Sequence, residues 1–160
     1  MRTAVLLAWS ALALFCVSLI LPSVDVDFLG KPMSLAGFHI IYMALGFGIA
    51  MLGEVATGTA RGGSSDVSMY LASFAAAFNF LFPVVPVLLH RRMLAARGLG
   101  IYALLAAMGL IAGAATPTVF GKSVAGVNVG FYVWLLAYLL LLVAVLVEWR
   151  GLRAERTPQP

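Results

Sequence analysis

The sequence predicts an all-α fold, a polytopic integral membrane bundle with four transmembrane helices and five as the alternative. Two observations lead there. Hydrophobic residues make up 63% of the 160 positions, against ten basic and six acidic residues, too few polar groups to cover a water-soluble domain of this size. The apolar residues also fall in blocks rather than in an amphipathic rhythm, and several blocks approach the ~20 residues needed to cross a bilayer. No polar stretch is long enough to fold separately. One helical domain is therefore expected over residues 1–150, with a short, basic, disordered tail over 151–160.

Five apolar segments follow in order: 4–21, 35–53, 67–89, 99–115 and 130–147. The first begins behind Arg2 like a signal peptide. Its run is longer than a usual signal core, and Pro22-Ser23-Val24-Asp25 offers no small-x-small cleavage site, so it reads as a retained crossing. The second carries Gly46-Phe47-Gly48 at its centre, which suits a broken or shallow element. The third holds Pro83 and Pro86, which kink a crossing or end a half-helix. The fourth and fifth are ordinary crossings.

Charge placement orients the segments. Arg91, Arg92 and Arg97 form one basic cluster, and Arg150, Arg153 and Arg156 another, two crossings apart. Both belong on the cytoplasmic side, as does Arg2, which demands an even number of crossings. If segment 35–53 dips in and returns, seven of the ten basic residues lie inside; if 67–89 fails to cross, eight do. With all five crossing and the N-terminus outside, seven do, and Arg2 is misplaced. The preferred reading is four crossings, both termini cytoplasmic, and segment 35–53 irregular.

The loops carry an internal echo. Pro22 leads through Phe28-Leu29-Gly30-Lys31 to Gly37-Phe38; Pro117 leads through Val119-Phe120-Gly121-Lys122 to Gly130-Phe131. Val24-Asp25-Val26-Asp27 and Val127-Asn128-Val129 both alternate apolar with polar residues, as two strands of a small ribbon over the outer helix ends do. Shared ancestry of the two halves explains the echo; so does the ordinary use of Gly, Lys and Pro in short loops near membranes.

Ionisable and amide groups in hydrocarbon are costly and mark sites. His39, three residues before Tyr42, can relay a proton or contact a ligand, though its place near the start of a segment also suits an interfacial ring. Glu54 closes the same segment at head-group level, and Glu148 beside Trp149 and Arg150 suits a surface ion pair. Asn79, set among Phe78, Phe80 and Phe82, has to find a partner on a neighbouring helix or line a polar path. Gly109 and Gly113 form a small-xxx-small packing motif, and Ala72, Ser73, Ala76 and Ala77 make a second smooth face. Trp134, Tyr132, Tyr138 and Trp149 suit the interfacial belts, with the more central ring packed between helices. Asp25 and Asp27 point the same way on an extended strand, where a solvated loop or a weak cation contact fits. Arg91, Arg92 and Arg97, with His90, form a collar that contacts lipid head groups, each basic residue gaining roughly 1 kcal/mol from anionic lipid.

Catalytic parts are missing from the pattern. The two histidines stand far apart and Cys16 is alone, so no metal-ligand spacing or internal disulfide arises. Gly121-Lys122-Ser123 shows the tail of a phosphate loop without its leading glycine, and no serine at membrane depth has a His and acid partner. No catalytic, cofactor-binding or metal site is expected, and no cofactor.

Taken in order, Leu21-Pro22, Gly37-Phe38, Phe78-Asn79 and Gly130-Phe131-Tyr132-Val133-Trp134-Leu135-Leu136 resemble a loose group of small, uncharacterised bacterial inner-membrane proteins. Those carry Leu-Pro after the first helix, Gly-Trp opening the second block, Asn-Pro in the third and Gly-Tyr-Trp-Leu-Trp opening the last. Phe38 and Phe80 depart from that pattern, where Trp and Pro stand in the group. The resemblance spans most of the chain and implies a multi-pass protein of the bacterial inner membrane; it brings no activity with it. Two function classes remain. One is a non-enzymatic accessory component of a membrane complex, or an immunity-type protein, whose partners are the bilayer and another membrane protein or a second copy. The other is a small transporter or channel acting as an oligomer, with Asn79, His39 or Glu54 on a wet path. A lipid-modifying enzyme needs clustered acid–base residues at the interface, where only scattered ones occur. The basic groups sit as topology signals, so nucleic acid is not an expected partner.

Overall fold

The computed structural model describes residues 2–28, 31–57, 73, 76–120 and 124–154. It is mostly helical: α1 (Thr3–Ile20), α2 (Gly37–Thr57), α3 (Leu81–His90), α4 (Ala96–Phe120) and α5 (Val129–Ala154), with strands β1 (Pro22–Phe28), β2 (Lys31–Ala36) and β3 (Val124–Val127). Among the described residues three helices are long and apolar enough to cross a membrane: Thr3–Ile20, Ala96–Ala115 and Val129–Ala154.

The centre of the molecule is the contact of α1 with α5. Buried Ala4, Val5, Ala8, Ala11, Phe15 and Ser18 recur every three or four residues, so they form one stripe down α1. Alanine at three of those positions lets α5 come close, where Ala137, Leu141, Ala144 and Val145 face it. Ser18 turns its hydroxyl onto the Phe15 carbonyl, 2.7 Å away, and so leaves no free polar group in the seam. The faces turned outward are as apolar as those turned inward: Leu6, Trp9 and Ile20 on α1 and Ile101, Leu104 and Ile111 on α4 are exposed.

A three-stranded sheet, order β2-β1-β3 and antiparallel throughout, closes one end. β1 contains the alternating residues 24–27 and pairs with β3, Val24 opposite Val127 and Asp25 opposite Gly126. The second strand expected over 127–129 lies instead at Val124–Val127, because Val129 already opens α5. The third strand, β2, was not expected. Its Pro32 lacks a donor, which confines it to an edge, and β2 does occupy one. The glycines that open α2 and α5 seat these helices on the end of α1 and on the start of β1, respectively. A β-carbon on Gly37 would strike the Ser18 carbonyl oxygen, and one on Gly130 would lie 2.5 Å from Ser23 Oγ and 2.7 Å from the Pro22 carbonyl oxygen.

The opposite end gathers the arginines. Arg2 ahead of α1, Arg92 behind α3 and Glu148 near the end of α5 line one cleft. Residues 2, 92 and 148 therefore share an end, and the sheet lies at the other.

Three expectations need correction. Segment 35–53 has no break at Gly46-Phe47-Gly48: α2 runs unbroken from Gly37 to Thr57. A glycine costs a helix only about 1 kcal/mol, and helix is the one conformation that satisfies a lone backbone in apolar surroundings. The interruption lies in segment 67–89. There Asn79 and Phe80 form a turn, and the Asn79 carbonyl accepts from Phe82 N–H at 3.2 Å. Its regular donor would be residue 83, a proline without N–H. The expected tail is also shorter, because α5 continues to Ala154. Arg153 lies over the Trp149 ring at 4.0 Å, one turn back, and a cation in the last turn suits the helix dipole. Residues 155–160 lie outside the described residues. Likewise α4 extends through Pro117 to Phe120, beyond the segment end expected at Ala115.

Behind α3 the chain forms a Schellman ending: Met93 N–H donates to the Leu88 carbonyl at 3.1 Å and Arg92 N–H to Leu89 at 3.2 Å. The residue after the cap is left-handed, and here it is Arg92, φ 55°. Glycine is the usual occupant, since an L side chain costs about 1 kcal/mol there. Arg92→Gly is therefore expected to raise stability by about 0.5–1 kcal/mol, measured as a higher unfolding temperature in detergent. An unchanged or lower midpoint would contradict the assignment of strain.

Candidate functional site

The polar centre of the bundle is Asn79. It sits at the head of the interrupted segment, 6% exposed. Its Oδ1 accepts two hydrogen bonds from α5, from Trp134 Nε1 at 2.8 Å and from the Tyr138 hydroxyl at 3.2 Å. Indole N–H can only donate, so the amide oxygen has to face it, and this fixes the orientation of the amide. The other end, Nδ2, is buried without a hydrogen-bond partner.

Aromatic rings surround this joint. Phe82, one turn after Asn79, stacks on Phe15 of α1 with centroids 4.3 Å apart and meets Tyr138 edge-on at 4.7 Å. Tyr138 and Trp134, one turn apart on α5, meet at 5.1 Å and 84°. They can lie there because two of the α4 positions facing them are glycines. A β-carbon on Gly109 would come within 2.6 Å of Tyr138 Cε1, and one on Gly113 would run into the Trp134 ring. Gly109 and Gly113 thus form a shelf for the two rings that hold Asn79. The structure brings these three predicted residues together, with two aromatics whose part in the joint the sequence did not reveal. Their four-residue spacing, matched to that of the glycines, was the available signal.

The remaining predicted residues lie elsewhere. His39 is exposed in the first turn of α2, its ring 3.8 Å from that of Phe38, at the sheet end. Glu54 lies in the last turn of α2, and its side chain is outside the described residues. Arg91, Arg92 and Arg97 are all exposed around the α3–α4 connection. Ala76 is buried at the head of segment three, and Ala72 is outside the described residues. Cys16 is exposed on α1.

Two polar clusters mark the ends of the bundle. At the sheet, Asp25 Oδ1 accepts from Ser34 Oγ at 2.5 Å and from Asn128 Nδ2 at 2.8 Å, joining all three strands' connections. Asp25 is thus engaged within the sheet, while Asp27 is exposed. At the other end Arg2 pairs with Glu148, whose side chain is largely buried. Among the described residues no group of three His, Cys, Asp or Glu side chains comes together.

These features define a helical protein with, among the described residues, three helices fit to span a membrane and an amide–aromatic joint at its core. The chain matches no protein-family model, no curated protein and no solved structure.

The joint makes a quantitative expectation. Asn79→Leu removes the acceptor of two ring donors and is expected to cost about 1–3 kcal/mol. In a Trp134→Phe background the same change should cost less, because one stranded donor is already gone. Additive losses in this double-mutant cycle, read from thermal unfolding in detergent, would show that Asn79 and Trp134 are not coupled.

Proposed function

We propose that the chain is a non-enzymatic, multi-pass component of a bacterial inner membrane that works by binding another membrane protein. In this reading α1, the segment 76–90, α4 and α5 cross the bilayer, with the arginine end and both termini cytoplasmic. Supporting it, residues 76–90 run from the Asn79 joint, in the sheet half of α5, to the arginine end. With Arg2, Arg92 and Glu148 at one end, the crossings between them are even in number, and Arg2 and both basic clusters fall on one side. Single cysteines at Asp27 and Met93, both exposed, in a Cys16→Ser background are expected to react with an impermeant thiol reagent from opposite sides of the membrane. Reaction of both from one side would reject this topology.

The observation that carries the functional reading is α2. It is anchored at its first turn by Gly37 N–H on the Leu21 carbonyl, 3.2 Å, and among the described residues little of it packs on the rest of the bundle. Tyr42 is 77% exposed and Ile49 73%, on a helix of 21 residues. The bundle's own buried amide is turned inward onto Trp134 and Tyr138, and this helix offers a long apolar surface for recognition. A photo-reactive phenylalanine analogue at Tyr42 or Ile49 should trap a second polypeptide in native membranes, whereas the same analogue at Leu104 or Ile111 of α4 should trap lipid. Lipid adducts alone at all four positions would remove the support.

The second reading, an oligomeric transporter or channel, is favoured by one observation, the buried and unpartnered Asn79 Nδ2, a donor that a polar path would use. Flux across proteoliposomes that disappears in Asn79→Leu, with the fold intact, would favour that reading over the first.

A further inference from the structure

The arginine end holds a cleft of about 430 Å³. Two arginines line it from separate elements, Arg2 from the start of α1 and Arg92 from the end of α3, and Glu148 of α5 pairs with Arg2. The carboxylate engages Arg2 through one nitrogen, Nη1. A guanidinium carries five N–H donors in a planar fork, so Arg2 keeps donors to spare while its position is held by the ion pair. Arg92 carries a full charge at the left-handed position of the Schellman ending, φ 55°, where glycine would relieve the backbone. That backbone turn places Arg92 on the wall of the cleft. The other wall is apolar, made by Leu94, Val147 and Leu152.

We propose that this cleft binds a phosphate ester, held by Arg92 and by the free edge of Arg2. Planar guanidinium groups match phosphate oxygens with paired hydrogen bonds, and one carboxylate against two arginines leaves the cleft a net cation. Glu148 positions Arg2 and does not itself meet the phosphate. The apolar wall beside the cations matches an amphiphile, whose head group meets the arginines while its glycerol and first methylenes meet Leu94, Val147 and Leu152. The same guanidinium pair also accepts free phosphate, so the experiment has to separate the two sources. This differs from the diffuse attraction of a basic collar to anionic lipid, because it assigns different roles to neighbouring arginines. Arg92 lines the cleft and Arg97 does not.

The test uses the full chain in neutral detergent with phosphatidylglycerol, phosphatidylcholine or inorganic phosphate added. Retained lipid is counted by native mass spectrometry and the unfolding temperature is followed in parallel. The variants are Arg92→Gln, which keeps an L side chain at the left-handed position, and Arg97→Gln as the collar control. Retention of phosphatidylglycerol but not phosphatidylcholine, reduced at least several-fold in Arg92→Gln and unchanged in Arg97→Gln, supports the site with lipid as its source. An Arg92-dependent rise in unfolding temperature with inorganic phosphate, without retained lipid, supports it with free phosphate as the source. Equal losses in the two variants reduce the site to a general charge effect and overturn it. Absence of any phosphate- or lipid-dependent signal also overturns it, provided the ligand-free unfolding temperatures of wild type and Arg92→Gln agree. If they disagree, Arg92→Lys, which keeps the charge but not the planar fork, decides: retention equal to that of the wild type overturns the paired-bond geometry, and a several-fold loss supports it.

Discussion

The Asn79 side-chain oxygen holds together what the prolines of its own segment take apart. Pro83 and Pro86 remove the donors that the carbonyls of Asn79 and Phe82 would otherwise accept from, so the ladder of hydrogen bonds fails where apolar surroundings tolerate it least. The failure is contained by a turn, Phe82 N–H on the Asn79 carbonyl, and by fastening the head of the segment to α5 through Trp134 and Tyr138. Those rings need room, and Gly109 and Gly113 of α4 make it. One amide therefore positions α3 against α5, and α5 against α4. Phe82 carries the same arrangement on to α1 by stacking on Phe15.

Both ends of the α1–α5 pair are tied as well, by different means. At the sheet end the tie is backbone and close approach: Asn128 N–H on the Ser23 carbonyl at 2.9 Å, and Gly130 against Pro22 and Ser23. At the other end the tie is the Arg2–Glu148 ion pair. The sheet tie tolerates no side chain at Gly130, whereas the ion pair stays partly open, with Arg2 about a third exposed. The closed end is bound by backbone contact. The open end has several donors left over, and it is there that a ligand of opposite charge finds both donors and space.

The apolar segments were legible from composition alone, because hydrocarbon-length blocks leave few alternatives to helix. β1 was legible too, through its period of two, whereas β3 was expected over 127–129 and lies at Val124–Val127, where no alternation marks it. The location of the break was not legible. Gly46-Phe47-Gly48 is the more conspicuous interruption to the eye, yet glycine only raises the entropy lost on ordering, while proline deletes a hydrogen bond outright. β2 was hidden because Lys31-Pro32-Met33-Ser34-Leu35-Ala36 lacks strict alternation, and its strand character comes from pairing with β1. For the site, Asn79 and the glycine pair stood out by residue type. Their convergence did not, since Trp134 lies 55 positions from Asn79 and Tyr138 lies 59. Arg92 gave no sign of its left-handed backbone, for that ending is usually announced by glycine.

The placement of tyrosine gives the interaction reading its chemical edge. Tyr138 and Tyr42 share a side chain with one large apolar face and one hydroxyl. Tyr138 is buried, and its hydroxyl is satisfied by Asn79. Tyr42 is on the open face of α2, five residues beyond the Gly37 anchor, a depth of about 7–8 Å along a helix axis. Acyl chains cover the ring of an exposed tyrosine but offer its hydroxyl nothing. Head groups satisfy the hydroxyl but leave the ring and the neighbouring Met43 and Ile49 uncovered. A protein surface with an acceptor set in an apolar patch meets both needs at once, as Asn79 among its phenylalanines does for Tyr138. The inner joint is thus a pattern for the outer one, and a partner of α2 should present an amide or carbonyl oxygen among apolar side chains opposite position 42.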